Sequence, residues 1–192
     1  MSDLPPICHV VAGPNGSGKS TFALRYLPRW AGEVEYVNPD LIAQGASPLD
    51  IRLSAFEAAK QTLRRIRALL AQGASFGFET TLSGRSQLSI VDEVHRSGFA
   101  LHVYYLWLPD ADPLPVRIRH RVLLGGHDVP VSDVRRRFAR SRDNLREYAA
   151  LADRLLVFDA QPPVPELIFR RNGEESVLDP VRVAAMRKDL GL

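Results

Sequence analysis

Alternating strand and helix segments predict an α/β fold. The expected core is a five-stranded, mostly parallel sheet sandwiched by helices, with a helical lid and a C-terminal hairpin. Two observations carry this reading. Apolar runs of strand length alternate with longer stretches of helical periodicity, the pattern of parallel sheets covered on both faces. The first such run, ICHVVA, also leads through the glycine-rich GPNGSG straight into STFALRYL, which can begin a helix.

The elements follow in order. A strand at about 7–12 passes through the glycine loop into a helix that ends before Pro28. EVEYVN (33–38) reads as a second strand, stopped by Pro39. SPLDIRLSAFEAAKQTLRRIRALLAQG reads as a long helix: Ser47 is its expected N-cap, Pro48 suits the first turn, and Gly73 closes it. ASFGFET is a third strand, RSQLSIVDEVHRSG a helix, and FALHVYYLWLP a fourth strand. Helices at about 112–124 and 131–152, broken by GGHDVP, form the expected lid (about 112–152). RLLVFD (154–159) is the fifth strand, ELIFRRNGEESVLD a hairpin turning at Asn172–Gly173, and the tail from Val181 is helical. With no repeat, low-complexity tract or linker, residues 1–192 are expected to form a single domain.

Composition narrows the class. A chain of 192 residues fits one domain that buries roughly 70% of its unfolded surface. With 45% hydrophobic and 24% charged residues it is an ordinary globule, and no apolar run nears the ~20 residues of a membrane helix. MSDLPPIC lacks the basic and apolar regions of a secretory signal, so the expected location is the cytoplasm. Cys8 is the single cysteine, hence no internal disulfide, and its place in the first strand suits a buried small apolar residue. The five histidines share no ligand spacing with cysteines or acids, which argues against structural zinc. Net charge is +3, yet nine arginines and three aspartates between Arg117 and Arg146 concentrate +6 there.

The chemistry starts at HVVAGPNGSGKSTF. Gly13, four residues, then Gly18, Lys19 and Ser20 fit GxxxxGK[ST], placed between a strand and a helix as that motif requires. Backbone N–H groups and the helix dipole converge there into an anion cradle, the hallmark of a P-loop NTPase-like sandwich. The expected nucleotide-binding set is Gly13, Asn15, Gly16, Ser17, Gly18, Lys19, Ser20 and Thr21. Lys19 would reach the β- and γ-phosphates of a nucleotide triphosphate, and the Ser20 hydroxyl would take a place on Mg²⁺.

In such sheets ligands bind beyond the carboxyl ends of the strands. NPD, with Asp40, follows the second strand; ETTLSGR, with Glu79, Thr80, Thr81 and Arg85, follows the third. A phosphoryl acceptor needs its hydroxyl held in line and its proton accepted by a carboxylate, and Asp40 and Glu79 are the acids placed for that. In 131–152, Val131, Val134, Phe138, Leu145 and Tyr148 fall on one stripe, flanked by Arg135, Arg137 and Arg142. These arginines, with Arg117 and Arg121 on the preceding helix, suit either a lid over the transferring phosphoryl group or a plain basic face.

GPNGSGKST, VNPDLIA, FGFETTLSGR and GGHDVP…RRRF, in that order across residues 7–159, resemble the zeta-toxin-type P-loop kinases, especially their short single-domain members. That resemblance implies ATP and Mg²⁺, phosphorylation of a UDP-N-acetylhexosamine at its 3′-hydroxyl, and an antitoxin protein that blocks the nucleotide site. It makes Lys19 the phosphate-holding residue, Asp40 the catalytic base and Arg121 a lid arginine, with Glu79 and Thr81 on the acceptor; Arg85, from the same strand-end segment, joins the expected substrate-binding set. Where longer members carry a second catalytic arginine before a proline, this chain has His127, so that role is either absent or moved to Arg135 or Arg137, with Arg137 the expected catalytic residue. The adenine pocket would draw on the lid and the loop after Asp159. Two other readings compete: a kinase for another hydroxylated metabolite or antibiotic, and a nucleotide-dependent regulatory or nucleic-acid-binding module using the arginine patch. The third, nucleic-acid reading lacks aromatic residues interleaved in that patch.

Overall fold

The computed structural model describes residues 4–46, 51–84, 88–123, 125 and 128–191. Along the chain these form β1 (Ile7–Ala12), α1 (Lys19–Arg25), α2 (Pro28–Ala31), β2 (Glu35–Val37), α3 (Pro39–Ala46), α4 (Ile51–Gln72), β3 (Phe76–Thr80) and α5 (Leu88–Arg96). They continue with β4 (Ala100–Trp107), α6 (Leu114–Leu123), α7 (Val131–Leu151), β5 (Arg154–Asp159), β6 (Glu166–Asn172), β7 (Glu174–Val177) and α8 (Pro180–Leu190). Among the described residues no helix is long and apolar enough to cross a membrane.

One sheet runs β2-β3-β1-β4-β5-β6-β7, and its first five strands are parallel. The sheet therefore has seven strands where the sequence predicts five. The hairpin is present as expected, turning at Asn172–Gly173, but β6 pairs antiparallel onto β5 and extends the same sheet. The edge of β5 needs backbone partners, and Ile168 and Phe169 of β6 are apolar enough to be buried there.

Both faces of the sheet are covered. On one, Val10, Phe78, Val103, Tyr105 and Val157 pack against Ile66 and Leu69 of α4, Ile90 and Val94 of α5, and Met186 of α8. On the other, Val11, Tyr104, Leu156 and Phe158 pack against Phe22 of α1 and Leu114 and Ile118 of α6. Helix α7 serves both, sending Val134 and Phe138 into the second core and Leu145 and Tyr148 into the first. Val131, expected on that stripe, is 49% exposed because it opens the helix ahead of the buried turns.

Three local features depart from the sequence reading or fall beyond it. Helix α3 follows β2 directly, between the expected second strand and the expected long helix. Asn38 starts it, its Oδ1 accepting from the N–H groups of Asp40 (2.8 Å) and Leu41 (3.2 Å), with Pro39 in the first turn. A further short helix, α2, begins at Pro28. The expected cap at Ser47 and Pro48 lies outside the described residues. Cys8 is fully buried, and burial pushes its thiol far above the ordinary range.

A polar row crosses the sheet one layer from the site. Tyr36, Gly77, His9, His102 and Arg154 are successive register partners on β2, β3, β1, β4 and β5. The row fits because Gly77 leaves room for the Tyr36 ring, which a Cβ there would meet at 2.8 Å. His9 shares a 3.0 Å hydrogen bond with the Tyr104 hydroxyl and stands edge-on to His102. Burial first, then His102 and Arg154, bring its pKa down from 6.5 to about 4. The unfolded chain thus binds this proton more readily than the folded one, so stability should fall as pH drops from 6.5 towards 4. In urea unfolding across that window, H9Q should show a shallower loss than the native chain; parallel curves would exclude His9 as the source.

Candidate functional site

The glycine loop between β1 and α1 owes its path to backbone angles that other residues rarely adopt. Gly13, Gly16 and Gly18 have φ of 148°, 81° and 93°. A Cβ on Gly13 would come within 2.9 Å of both the Leu106 carbonyl and Ser17 Oγ. The Gly13 N–H donates to the Thr80 carbonyl at 3.2 Å and fastens the loop to the end of β3. Gly18 starts α1 in a left-handed conformation without any side-chain cap.

Lys19 is only 8% exposed, and its Nζ donates to the Pro14 carbonyl at 3.1 Å. Burial pushes its pKa below the ordinary lysine value; Glu79 and Asp40 oppose the shift, while Arg121 and Arg137 add to it. Asn15 Oδ1 and Ser17 Oγ are buried in the loop with no hydrogen-bond partner among the described residues. Buried polar atoms of this kind call for a ligand or water to satisfy them.

The strand ends converge on α1. Ser20 Oγ donates to Glu79 Oε2 at 3.0 Å, and Asn38 Nδ2 donates to the same carboxylate oxygen at 3.2 Å and to Ser20 Oγ at 3.4 Å. Asn38 therefore caps α3 with one end of its amide and steadies the Ser20–Glu79 pair with the other. Glu79 is 5% exposed, and burial raises its pKa; Asp40 adds to the rise, while Lys19, the Ser20 hydroxyl and Arg121 offset part of it. Asp40 is half exposed, and its Oδ2 lies 3.6 Å from Arg121 Nη1.

These groups share one cavity of about 880 Å³. Of the residues expected from sequence, Asn15, Gly16, Ser17, Gly18, Lys19, Ser20, Thr21, Asp40, Glu79, Thr81, Arg121 and Arg137 all line it. Gly13 lies beneath the loop, packed on Leu106. Arg85 and His127 fall outside the described residues. Thr81 is presented by a strained turn: buried Leu82 has φ of 52°, its N–H bonds Thr80 Oγ1, and Asn144 Nδ2 of α7 holds its carbonyl at 2.6 Å.

The arginine cluster divides. Arg121 and Arg137 face the cavity, and Arg137 also lies 3.9 Å from Asp133. Arg117, expected to close over the nucleotide, lines the cavity with its guanidinium bonded to the Ala160 and Gln161 carbonyls, at 2.8 and 2.9 Å. Arg135 pairs with Asp112, Arg136 with Asp133, Arg142 with Asp189, and Arg146 with the Leu190 carbonyl. Sequence reasoning missed Asn38, Tyr26 and His120 as parts of the site. Asn38 had a signal, since Asn-Pro ahead of a helix is a cap pattern.

No family model matches the sequence. An uncharacterised protein of Haemophilus influenzae is 31% identical over 126 residues, which cover 66% of this chain and 88% of that protein. Among solved structures, the AvrRxo1-ORF1:-ORF2 complex with ATP aligns with a TM-score of 0.67 at 17% identity, over 98% of this chain and 76% of that one. The PezAT chromosomal toxin–antitoxin system of Streptococcus pneumoniae aligns at 0.66 and 14% identity, over 98% and 85%. The chain thus belongs to the family of the Haemophilus influenzae protein, and it shares the fold of the AvrRxo1-ORF1:-ORF2 and PezAT structures.

Proposed function

We propose that this protein is an ATP-dependent small-molecule kinase of the zeta-toxin type. It transfers the γ-phosphate to a hydroxyl of an acceptor, with a UDP-N-acetylhexosamine (3′-OH) as the leading candidate. The observation that carries this reading is the meeting, in one cavity, of a buried phosphate-loop lysine with Asp40 and Arg121. The phosphate loop accounts for the nucleotide, and the carboxylate beside it accounts for the acceptor.

In this mechanism Lys19 and the loop N–H groups hold the triphosphate, while the orphaned Ser17 hydroxyl supplies a further donor. Ser20, with Glu79 behind it, is suited to hold Mg²⁺, which when bound neutralises charge on the phosphates. Asp40 takes the proton from the acceptor hydroxyl as that oxygen attacks the γ-phosphorus and ADP leaves. Arg121 then exchanges its Asp40 partner for the transferring phosphoryl group, and Arg137 supports it. Glu79 and Thr81, with Arg85, form the acceptor side. By the same reading the protein works in the cytoplasm, and a small antitoxin protein restrains it by covering the nucleotide site. The nucleic-acid alternative loses ground because most arginines of the patch are engaged within the protein.

The direct test is ATP consumption with Mg²⁺ and UDP-N-acetylglucosamine, with the product weighed by mass spectrometry. K19A should lower turnover by at least about a hundredfold, and D40N by roughly 10²–10⁴-fold. Full D40N activity would remove Asp40 as the base. ATP loss above the K19A background without a phosphorylated sugar would direct the search to other acceptors.

Glu79 gives an independent check without substrate. Its pKa lies above 4.5 in the folded protein, so the native state keeps this proton where the unfolded chain has lost it. Stability is therefore lost as pH rises above about 4.5 through the folded-state value. E79Q, which cannot ionise, should gain thermal stability relative to the native chain over that rise and show no gain below it. A constant difference at every pH would count against the buried-carboxylate assignment.

A further inference from the structure

The wall of the cavity opposite the acids is the segment Ala160–Pro165, and it is poorly equipped to hold its own shape. Pro162, Pro163 and Pro165 have no N–H to donate, so the segment cannot be knit together by its own backbone. Its ends, Asp159 and Glu166, face each other on the β5–β6 ladder, and its position then depends on what holds that pair against the rest of the site. At the start, the Ala160 N–H bonds the Trp107 carbonyl (2.9 Å), and the Gln161 N–H bonds Asp159 Oδ1 (2.9 Å). Arg117 of α6 holds the Ala160 and Gln161 carbonyls from the lid side.

The second grip comes from α8, which is remote in sequence from every motif of the site. Arg182 Nη1 lies 3.4 Å from Asp159 Oδ2 and also pairs with Glu166, while its Nε lies 3.3 Å from Asp179 Oδ2. Asp159 and Glu166 are the residues immediately before and after the segment. A single guanidinium therefore brackets both ends of the cavity wall. Asp159 is 3% exposed, and a carboxylate so buried needs a cation beside it. The bracket is itself held, since Asp179 caps α8 by accepting from the Arg182 N–H at 3.0 Å.

The segment also lies at a defined distance from the chemistry. Arg117 touches it, and Arg121, one helical turn further along α6, touches Asp40. The wall is thus at the end of the cavity away from the transferring phosphate, where the nucleoside of a bound triphosphate would extend.

We propose that Arg182 is a positioning residue of the nucleotide site: by clamping the Asp159–Glu166 pair onto α8 it sets the 160–165 wall against the nucleoside, which makes α8 a working part of that site. This rests on the reading of the cavity as a nucleotide site. Arg182 touches no substrate and acts only through the segment it brackets.

The test compares two ligands by titration calorimetry with Mg²⁺, ATP and inorganic tripolyphosphate, the second having the phosphates without the nucleoside. R182M should weaken ATP binding about tenfold and leave tripolyphosphate affinity unchanged. R182K, whose ammonium can meet one carboxylate but not bracket three, should lose about threefold for ATP alone. Thermal melts establish that each variant is folded, and if R182M is not, R182K decides. An equal loss for both ligands, or none for either, overturns the proposal while native ATP binding upholds the nucleotide site. If the native chain binds neither ligand, the nucleotide reading falls and the proposal falls with it.

Discussion

A lysine ammonium buried at the head of a glycine loop sets the terms for everything around it. Its partners are a backbone carbonyl and the fields of Glu79 and Asp40, which is thin compensation for a cation taken out of water. The same cavity adds Arg117, Arg121 and Arg137, so fixed cations outnumber the two carboxylates. A polyanion relieves that surplus better than any rearrangement of the side chains present. The strained glycines, the unsatisfied Asn15 and Ser17 atoms and the uncapped start of α1 all point to the same need.

The acid side answers the lysine with rigidity. Glu79 is held by two donors on one oxygen, and one of these, Asn38, also begins the helix that carries Asp40. The placement of Asp40 is thereby coupled to the Ser20–Glu79 pair through one amide. Just past Glu79 at the same strand end, Leu82 in a left-handed conformation costs of order 1–3 kcal/mol and persists because Thr80 and Asn144 hold it from both sides. Strain of this kind marks a turn whose shape is fixed for the side chains it presents, here Thr81 and Ser83.

Much of this was legible in the sequence, for identifiable reasons. The glycine loop was readable because its glycines perform backbone tasks that few other residues can. Asp40 and Glu79 were readable because the rule of strand carboxyl ends locates ligands without any knowledge of packing. The two extra strands were less so: a hairpin is a local signal, whereas its docking on β5 depends on which sheet edge is open. Arg117, Arg142 and Arg146 look alike in sequence, yet they go to carbonyls and carboxylates distant along the chain. Periodicity gives the face of a helix, and only the fold says what that face meets.

The two outer strands have a consequence for the protein among its own copies. β2 spans three residues, and exposed Glu35 on it pairs with Arg65 of α4. β7 spans four, opens with exposed Glu174 and Glu175, and has Glu175 tied to Arg187 of α8. A neighbouring strand seeking to add at either margin finds a short ladder flanked by charged side chains, two of them already engaged by arginines of α4 and α8. The sheet can thus be wide without being adhesive, and a crowded solution of this protein is guarded against edge-to-edge stacking into fibres.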